Sequence, residues 1–154
     1  MLDAPGPHER ALCVLLDTQD ELGGRGFLLC QSRDLPQDTE GRQIHVGGMD
    51  ELHRLAVMRP THGVGGVQCA EADWFHRVRG YDEGYKGWGA EDADLVVRAE
   101  RDGRVVKWVT EQTMMFHQWH PTAKYDRPWL VKKNKFRLTL TGWIVRKNWF
   151  GWGE

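Results

Sequence analysis

Cysteine is scarce in this chain. Cys13, Cys30 and Cys69 are the three among 154 residues, and no two of them stand at C-x-x-C spacing. An odd, widely spaced set excludes a disulfide framework and a zinc knuckle, and a reduced, cytoplasmic compartment is the expectation. Long apolar runs are lacking as well. The N-terminus carries an early Asp3, two prolines and a charged His8-Glu9-Arg10, so neither a secretory leader nor a membrane-spanning helix is expected. Neither sign of charge is in surplus: 21 basic residues face 22 acidic ones at a pI near 6.7, which argues against a chain built throughout for nucleic acid. No repeat and no low-complexity tract is present.

Several catalytic signatures are missing too. Gly63-Val-Gly-Gly66 has no Lys-Ser or Lys-Thr after it and lacks G-x-G-x-x-G spacing, so it reads as a tight backbone passage and not as a phosphate loop. Thr18, Ser32 and Thr61 have no Ser-His-Asp surroundings. His45, His53, His62 and His76 are scattered, with no partner at ligand spacing.

What remains is enough for one compact unit. Residues 8–22 read as a helix with Leu12, Leu15, Leu16 and Gln19 on one side, and residues 26–31 as a short buried strand. The polar stretch 32–47 reads as a loop, 49–58 as a helix stopped by Pro60, and 67–69 as a strand entry. A short helix over 70–78 and a longer one from Glu91 to an Asp102-Gly103 stop follow, then strands at 104–109 and 113–116. Residues 129–140 suit helix or strand equally. The alternation predicts an α/β layered fold, a mixed sheet with flanking helices. From Lys124 to Glu154 eight Lys or Arg stand against Asp126 and Glu154, and six of the eight tryptophans lie in the last third of the chain. This basic, Trp-rich tail, residues 122–154, suits phosphates or the periphery of an anionic membrane surface, with a merely solvated face as the plainer alternative.

The densest chemistry lies in Gly80-Tyr-Asp-Glu-Gly-Tyr-Lys-Gly-Trp-Gly-Ala-Glu-Asp-Ala-Asp94. Four glycines, Gly80, Gly84, Gly87 and Gly89, give a backbone able to approach a ligand closely. Tyr81, Tyr85 and Trp88 are flat rings with polar handles, the type of surface on which a sugar stacks. Glu91, Asp92 and Asp94 then crowd the first turn of a helix. Acids there cap free N–H groups and suit the helix dipole, and they are equally placed to act as a general base. His117 and His120 follow a strand and are candidate metal ligands, with satisfied strand-end histidines as the alternative.

This run, followed by Phe116-His117, resembles the C-terminal half of GT-A fold glycosyltransferases. The shared features are those of β-1,4-galactosyltransferases, polypeptide N-acetylgalactosaminyltransferases and bacterial family 2 enzymes. The resemblance covers residues 63–121 and implies a partial GT-A, Rossmann-like fold lacking most of the nucleotide-binding half. It implies an inverting, metal-dependent transfer of a sugar from a nucleotide-sugar donor to a glycan or other hydroxyl acceptor. By the same resemblance Asp92 is the catalytic base, Trp88 and Glu91 hold the sugar, and Gly89, Tyr85 and Asp82 line the substrate site. His117, with His120 as a second candidate, would hold a divalent manganese or magnesium ion. Ala90 stands where the galactosyltransferases usually have a further glycine. No Asp-x-Asp is present at a strand end, so an N-terminally truncated chain is expected, paired with a complementary N-terminal half. A non-catalytic carbohydrate-binding or scaffold remnant is the alternative function.

Overall fold

The structure, a computed structural model, describes residues 7–37, 49–59, 63–109, 115–121, 127–150 and 152. Its most buried strand is also its most apolar one. Gly26-Phe-Leu-Leu-Cys30 forms β1 (Gly26–Cys30), with every residue buried. A continuous apolar run of this kind is stable only as a central strand covered on both faces. It pairs antiparallel with β4 (Val67–Cys69) on one side and parallel with β5 (Val105–Trp108) on the other. A second three-stranded sheet follows at once: β2 (Ser32–Asp34) sits between β3 (Val57–Met58), antiparallel, and β6 (Met115–His117), parallel. The helices α1 (Pro7–Glu21), α2 (Met49–Leu55), α3 (Ala72–Val78), α4 (Glu91–Arg101) and α5 (Pro128–Thr141) complete the described elements. The architecture is the expected α/β one, with small mixed sheets and flanking helices.

The main core lies where β1 meets α3 and α4. Phe27, Leu29, Trp74, Val78, Leu95 and Ala99 are all at most 1% exposed and pack together. Burying each of the larger of these side chains stabilises the fold by about 1.5–3 kcal/mol. Phe27 meets Trp74 edge-on with ring centroids 5.4 Å apart. The Trp74 indole N–H donates to Asp102 at 2.8 Å, so its polar edge is satisfied at the end of α4. A smaller cluster of Leu35, Leu52 and Ala56, with Phe116 against it, seats α2 on the second sheet.

Two of these expectations change and one holds. Residues 32–34 are strand and not loop: Ser-Arg-Asp has no apolar alternation, and the neighbouring strands β3 and β6 recruit it through backbone pairing, with Asp34 tied to Arg59 and His117. Most of the remainder of the expected loop, residues 38–48, lies outside the described residues. On α1, Leu12 and Leu16 are each 56% exposed, while Thr18 and Gln19 are buried. The Gln19 amide clips β1, donating to the Gly26 carbonyl and accepting from its N–H, both at 3.1 Å. The Gly63–Gly66 passage is tight as expected: a Cβ on Gly66 would lie 2.9 Å from the Cys30 carbonyl oxygen.

The fold is tied by carboxylates that prefer to stay ionised. Arg59 holds the Asp34 carboxyl below its ordinary 3.8, against a smaller opposing effect of burial. Arg77, helped by the Trp74 N–H, does the same for Asp102. Burial pushes Asp82 upward, but Arg137, the Gly84 N–H and Lys147 together outweigh it and the net direction is down. A carboxyl lowered on folding stabilises the native state fully above its unfolded value and loses that contribution as pH falls through the folded one. Stability should therefore be flat above pH 3.8 with respect to these three groups and should fall steeply below it. Thermal unfolding followed by near-UV circular dichroism across acid pH checks this, and an unchanged melting temperature down to pH 2, on the order of the lowest carboxylate values, would contradict it.

Candidate functional site

The aromatic loop is a built structure and not a slack one. Gly80 (φ +55), Gly87 (φ +71) and Gly89 (φ +100) take left-handed backbone. A Cβ on Gly80 would lie 2.8 Å from the Trp152 ring and one on Gly87 2.9 Å from Leu130, so these glycines let tail and helix pack directly on the loop. Asn134 on α5 donates to the carbonyls of Lys86 at 3.0 Å and Trp88 at 3.3 Å. The Trp88 ring itself is 45% exposed. Ala90, which caps α4, has φ +77, a conformation that costs a residue with a Cβ about 1–2 kcal/mol. That local strain sits immediately before Glu91 and Asp92.

The side chain of Asp92 points toward Gly65. A Cβ there would come within 2.3 Å of Asp92 Oδ2, so only glycine leaves room for the carboxylate. Its other oxygen accepts from the Ala93 N–H at 2.8 Å. Gln68 on β4 donates from its amide to the backbone carbonyls of Val64 at 3.0 Å and Asp92 at 3.0 Å, and accepts from the Tyr81 hydroxyl at 2.7 Å. Burial pushes the Tyr81 phenol up, and the negative charges of Asp92 and Glu91 add to it. Beside Asp92, Glu91 Oε2 is buried with no hydrogen-bond partner. An acceptor oxygen in that position costs about 1–3 kcal/mol until a donor reaches it. Gly65→Ala isolates this geometry. The Asp92 side chain can swing away, so stability should change by less than about 1 kcal/mol, while any reaction that needs the carboxylate in place should slow by about tenfold or more. Equal activity in Gly65→Ala would show that the position of Asp92 is unimportant.

Asp82, Tyr85 and Asp94 belong to a second layer. Asp82 is 4% exposed and takes two hydrogen bonds from Arg137, at 2.8 and 3.0 Å, with Lys147 3.3 Å away. Tyr85 is 9% exposed, donates to Asp94 at 3.3 Å and lies under the Arg137 guanidinium. Burial, with the Asp94 charge next, pushes its phenol well up. Asp94 and Arg98 are completely buried and paired at 2.7 Å. Arg98 also donates to the carbonyls of Gly80 at 2.7 Å, Val145 at 3.2 Å and Val78 at 3.4 Å. One guanidinium thus fixes the start of the loop, helix α4 and the tail together.

The two histidines lie at the other sheet. The parallel pairing of β2 with β6 places Asp34 opposite His117, and His117 Nδ1 stands 3.1 Å from Asp34 Oδ1. Nothing in the polar Ser-Arg-Asp segment marks this partner in the sequence. The His120 ring lies 5.1 Å from that of His117, with its Nδ1 2.9 Å from the Pro121 carbonyl oxygen. Asp34 and His117 suit a divalent cation chemically, but Arg59 already binds both Asp34 oxygens, and no group of three metal-capable side chains occurs among the described residues. The pair does not by itself complete the metal site expected at His117.

A comparison with known protein families falls on the same region. A family model described as the N-terminal domain of galactosyltransferase matches residues 45–120. That description does not carry the expected C-terminal placement. Human β-1,4-galactosyltransferase 4 is 39% identical over 109 residues, covering 68% of this chain and 29% of the relative. The enzymes of the same name from Rattus norvegicus and Cricetulus griseus are 30% identical over the same length and coverage. The chain spans 29% of the length of these relatives. No solved structure matches. The relatives are Golgi-resident type II membrane enzymes, which overturns the cytoplasmic setting expected from the cysteines. Three unpaired thiols are too weak a sign to fix a compartment. Among the described residues no helix is long and apolar enough to cross a membrane. With the loop, the α4 carboxylates and the family match all falling within residues 45–120, the chain carries a galactosyltransferase-like region, similar to glycosyltransferases of the β-1,4-galactosyltransferase type.

Proposed function

We propose that this chain is the acceptor-side, catalytic-base portion of an inverting glycosyltransferase that moves a sugar from a nucleotide-sugar donor to a hydroxyl acceptor. The observation that carries the reading is the pair of carboxylates opening α4. Asp92 is fitted against Gly65, and Glu91 Oε2 beside it is buried and lacks a donor. A sugar hydroxyl would supply that donor to Glu91. Asp92 would accept the proton of the acceptor hydroxyl as its oxygen attacks the anomeric carbon and the nucleoside diphosphate leaves. Trp88 and Tyr81 border the same turn with exposed ring surface on which a sugar face can stack. Asp82 and Tyr85 serve the site by holding the loop through Arg137 and Asp94.

The family generally uses a divalent metal, which supplies positive charge to the departing diphosphate. Here His117 is the residue that would contribute to holding it, with further ligands from outside the described residues. The Asp92→Asn exchange in a protein that carries the donor-binding portion tests the reading. A second reading, a carbohydrate-binding remnant, draws on the engagement of Asp34 by Arg59. Sugar binding that needs neither nucleotide nor metal, without any transfer, would decide for it.

A further inference from the structure

Helix α5 exposes large apolar side chains. On its inner side Asn134 is 2% exposed, Arg137 reaches Asp82 and Leu130 is buried, with Val131 and Leu138 half-buried. Its exposed residues mix lysines and a threonine with three large apolar side chains. Trp129, Phe136 and Leu140 stand at i, i+7 and i+11, on one face, and are 61%, 63% and 53% exposed. Lys132 and Lys133 flank that stripe and are exposed. The chain then continues with Trp143 and Trp149, each 63% exposed, and Phe150 at 98%. The Arg146 guanidinium lies 5.5 Å from the Trp149 ring. No Asp or Glu occurs from Arg127 to Phe150. The two basic residues of that stretch that meet carboxylates, Arg137 and Lys147, do so on the inner side at Asp82 and Asp94.

We propose that this outward face docks on an anionic lipid surface, with α5 lying in the plane of the interface. A stripe of Trp, Phe and Leu edged by lysines matches the acyl and headgroup layers of a bilayer in order. Tryptophan is the side chain best suited to that boundary, and lysine reaches back from it to the phosphates. At fourteen residues α5 is too short to cross a bilayer. Surplus positive charge on the outer side selects anionic over neutral lipid. Docking of this kind is independent of the compartment that holds the protein.

The test is co-sedimentation of the purified chain with vesicles of phosphatidylcholine alone and with phosphatidylglycerol added, together with the tryptophan emission spectrum. Binding to the anionic vesicles, weakened by salt and accompanied by a blue shift, is the expected result. Trp129→Ser/Phe136→Ser/Leu140→Ser should lose at least about tenfold in binding with its circular dichroism unchanged, because all three side chains face outward. Lys132→Glu/Lys133→Glu should lose the preference for anionic vesicles. Absence of vesicle binding, or undiminished binding by the triple Ser variant, overturns the proposal. So does retention on a soluble polyanion without vesicle binding, and so does a dimer that the triple Ser variant converts to monomer, which would assign the face to a second copy. None of these readouts depends on glycosyl transfer.

Discussion

Asp92→Asn should slow glycosyl transfer by about 10²–10⁴-fold, the range that general-base catalysis supplies, with the fold and nucleotide binding intact. Asparagine has the same shape as aspartate. Its amide oxygen can accept from the Ala93 N–H and its amide fits the space that Gly65 leaves. What it lacks is a lone pair basic enough to take a proton near neutral pH. The measurement is transfer from a nucleotide sugar by the longer protein that carries this domain, with binding of donor and acceptor followed separately. Loss of rate with unchanged binding places Asp92 at the reacting hydroxyl, whereas a wild-type rate removes it from that role. On the proposed reading Glu91 would bind the acceptor, its buried Oε2 having no hydrogen-bond donor among the described residues.

Arg98→Met should destabilise the fold by about 3–5 kcal/mol, the penalty for removing one partner of a buried ion pair. Asp94 would be left fully buried, with the Lys147 ammonium 3.4 Å away to offset part of its charge. The carbonyls of Val78, Gly80 and Val145 would lose a donor at the same time. Methionine fills similar volume, so the loss is one of charge and hydrogen bonding and not of packing. Urea unfolding read by tryptophan fluorescence measures it. A loss below about 1 kcal/mol would mean that the pair has ready access to water, as surface pairs do.

Helix α4 was legible in the sequence because its signals are local: glycines before Glu91, an apolar face of Leu95 and Ala99, and Asp102-Gly103 at the end. The aromatic loop was legible for the same reason. Strand β2 was not, since Ser-Arg-Asp takes its conformation from β3 and β6 on either side. Its Asp34 was missed as the neighbour of His117 because that contact arises only from the parallel pairing of distant segments. Asp82 and Asp94 looked like Asp92 in the sequence, as acids around a glycine-rich turn. Only the positions of Arg137, Arg98 and Lys147 separate the carboxylates that hold the loop from the one left facing Gly65. Residues 129–140 read ambiguously because the apolar residues of α5 are not gathered on one face: Leu130 is buried beside Asn134, while Trp129, Phe136 and Leu140 are exposed.

The two sides of α5 have different tasks, and Asn134 joins them. Its amide holds the backbone on either side of Gly87, at Lys86 and Trp88, while Trp129, Phe136 and Leu140 stand on the far side of the same rigid rod. On the two readings proposed above, a surface under α5 and a sugar on Trp88 would be linked through Asn134, and whatever effect the one has on the binding of the other would be returned by the same factor.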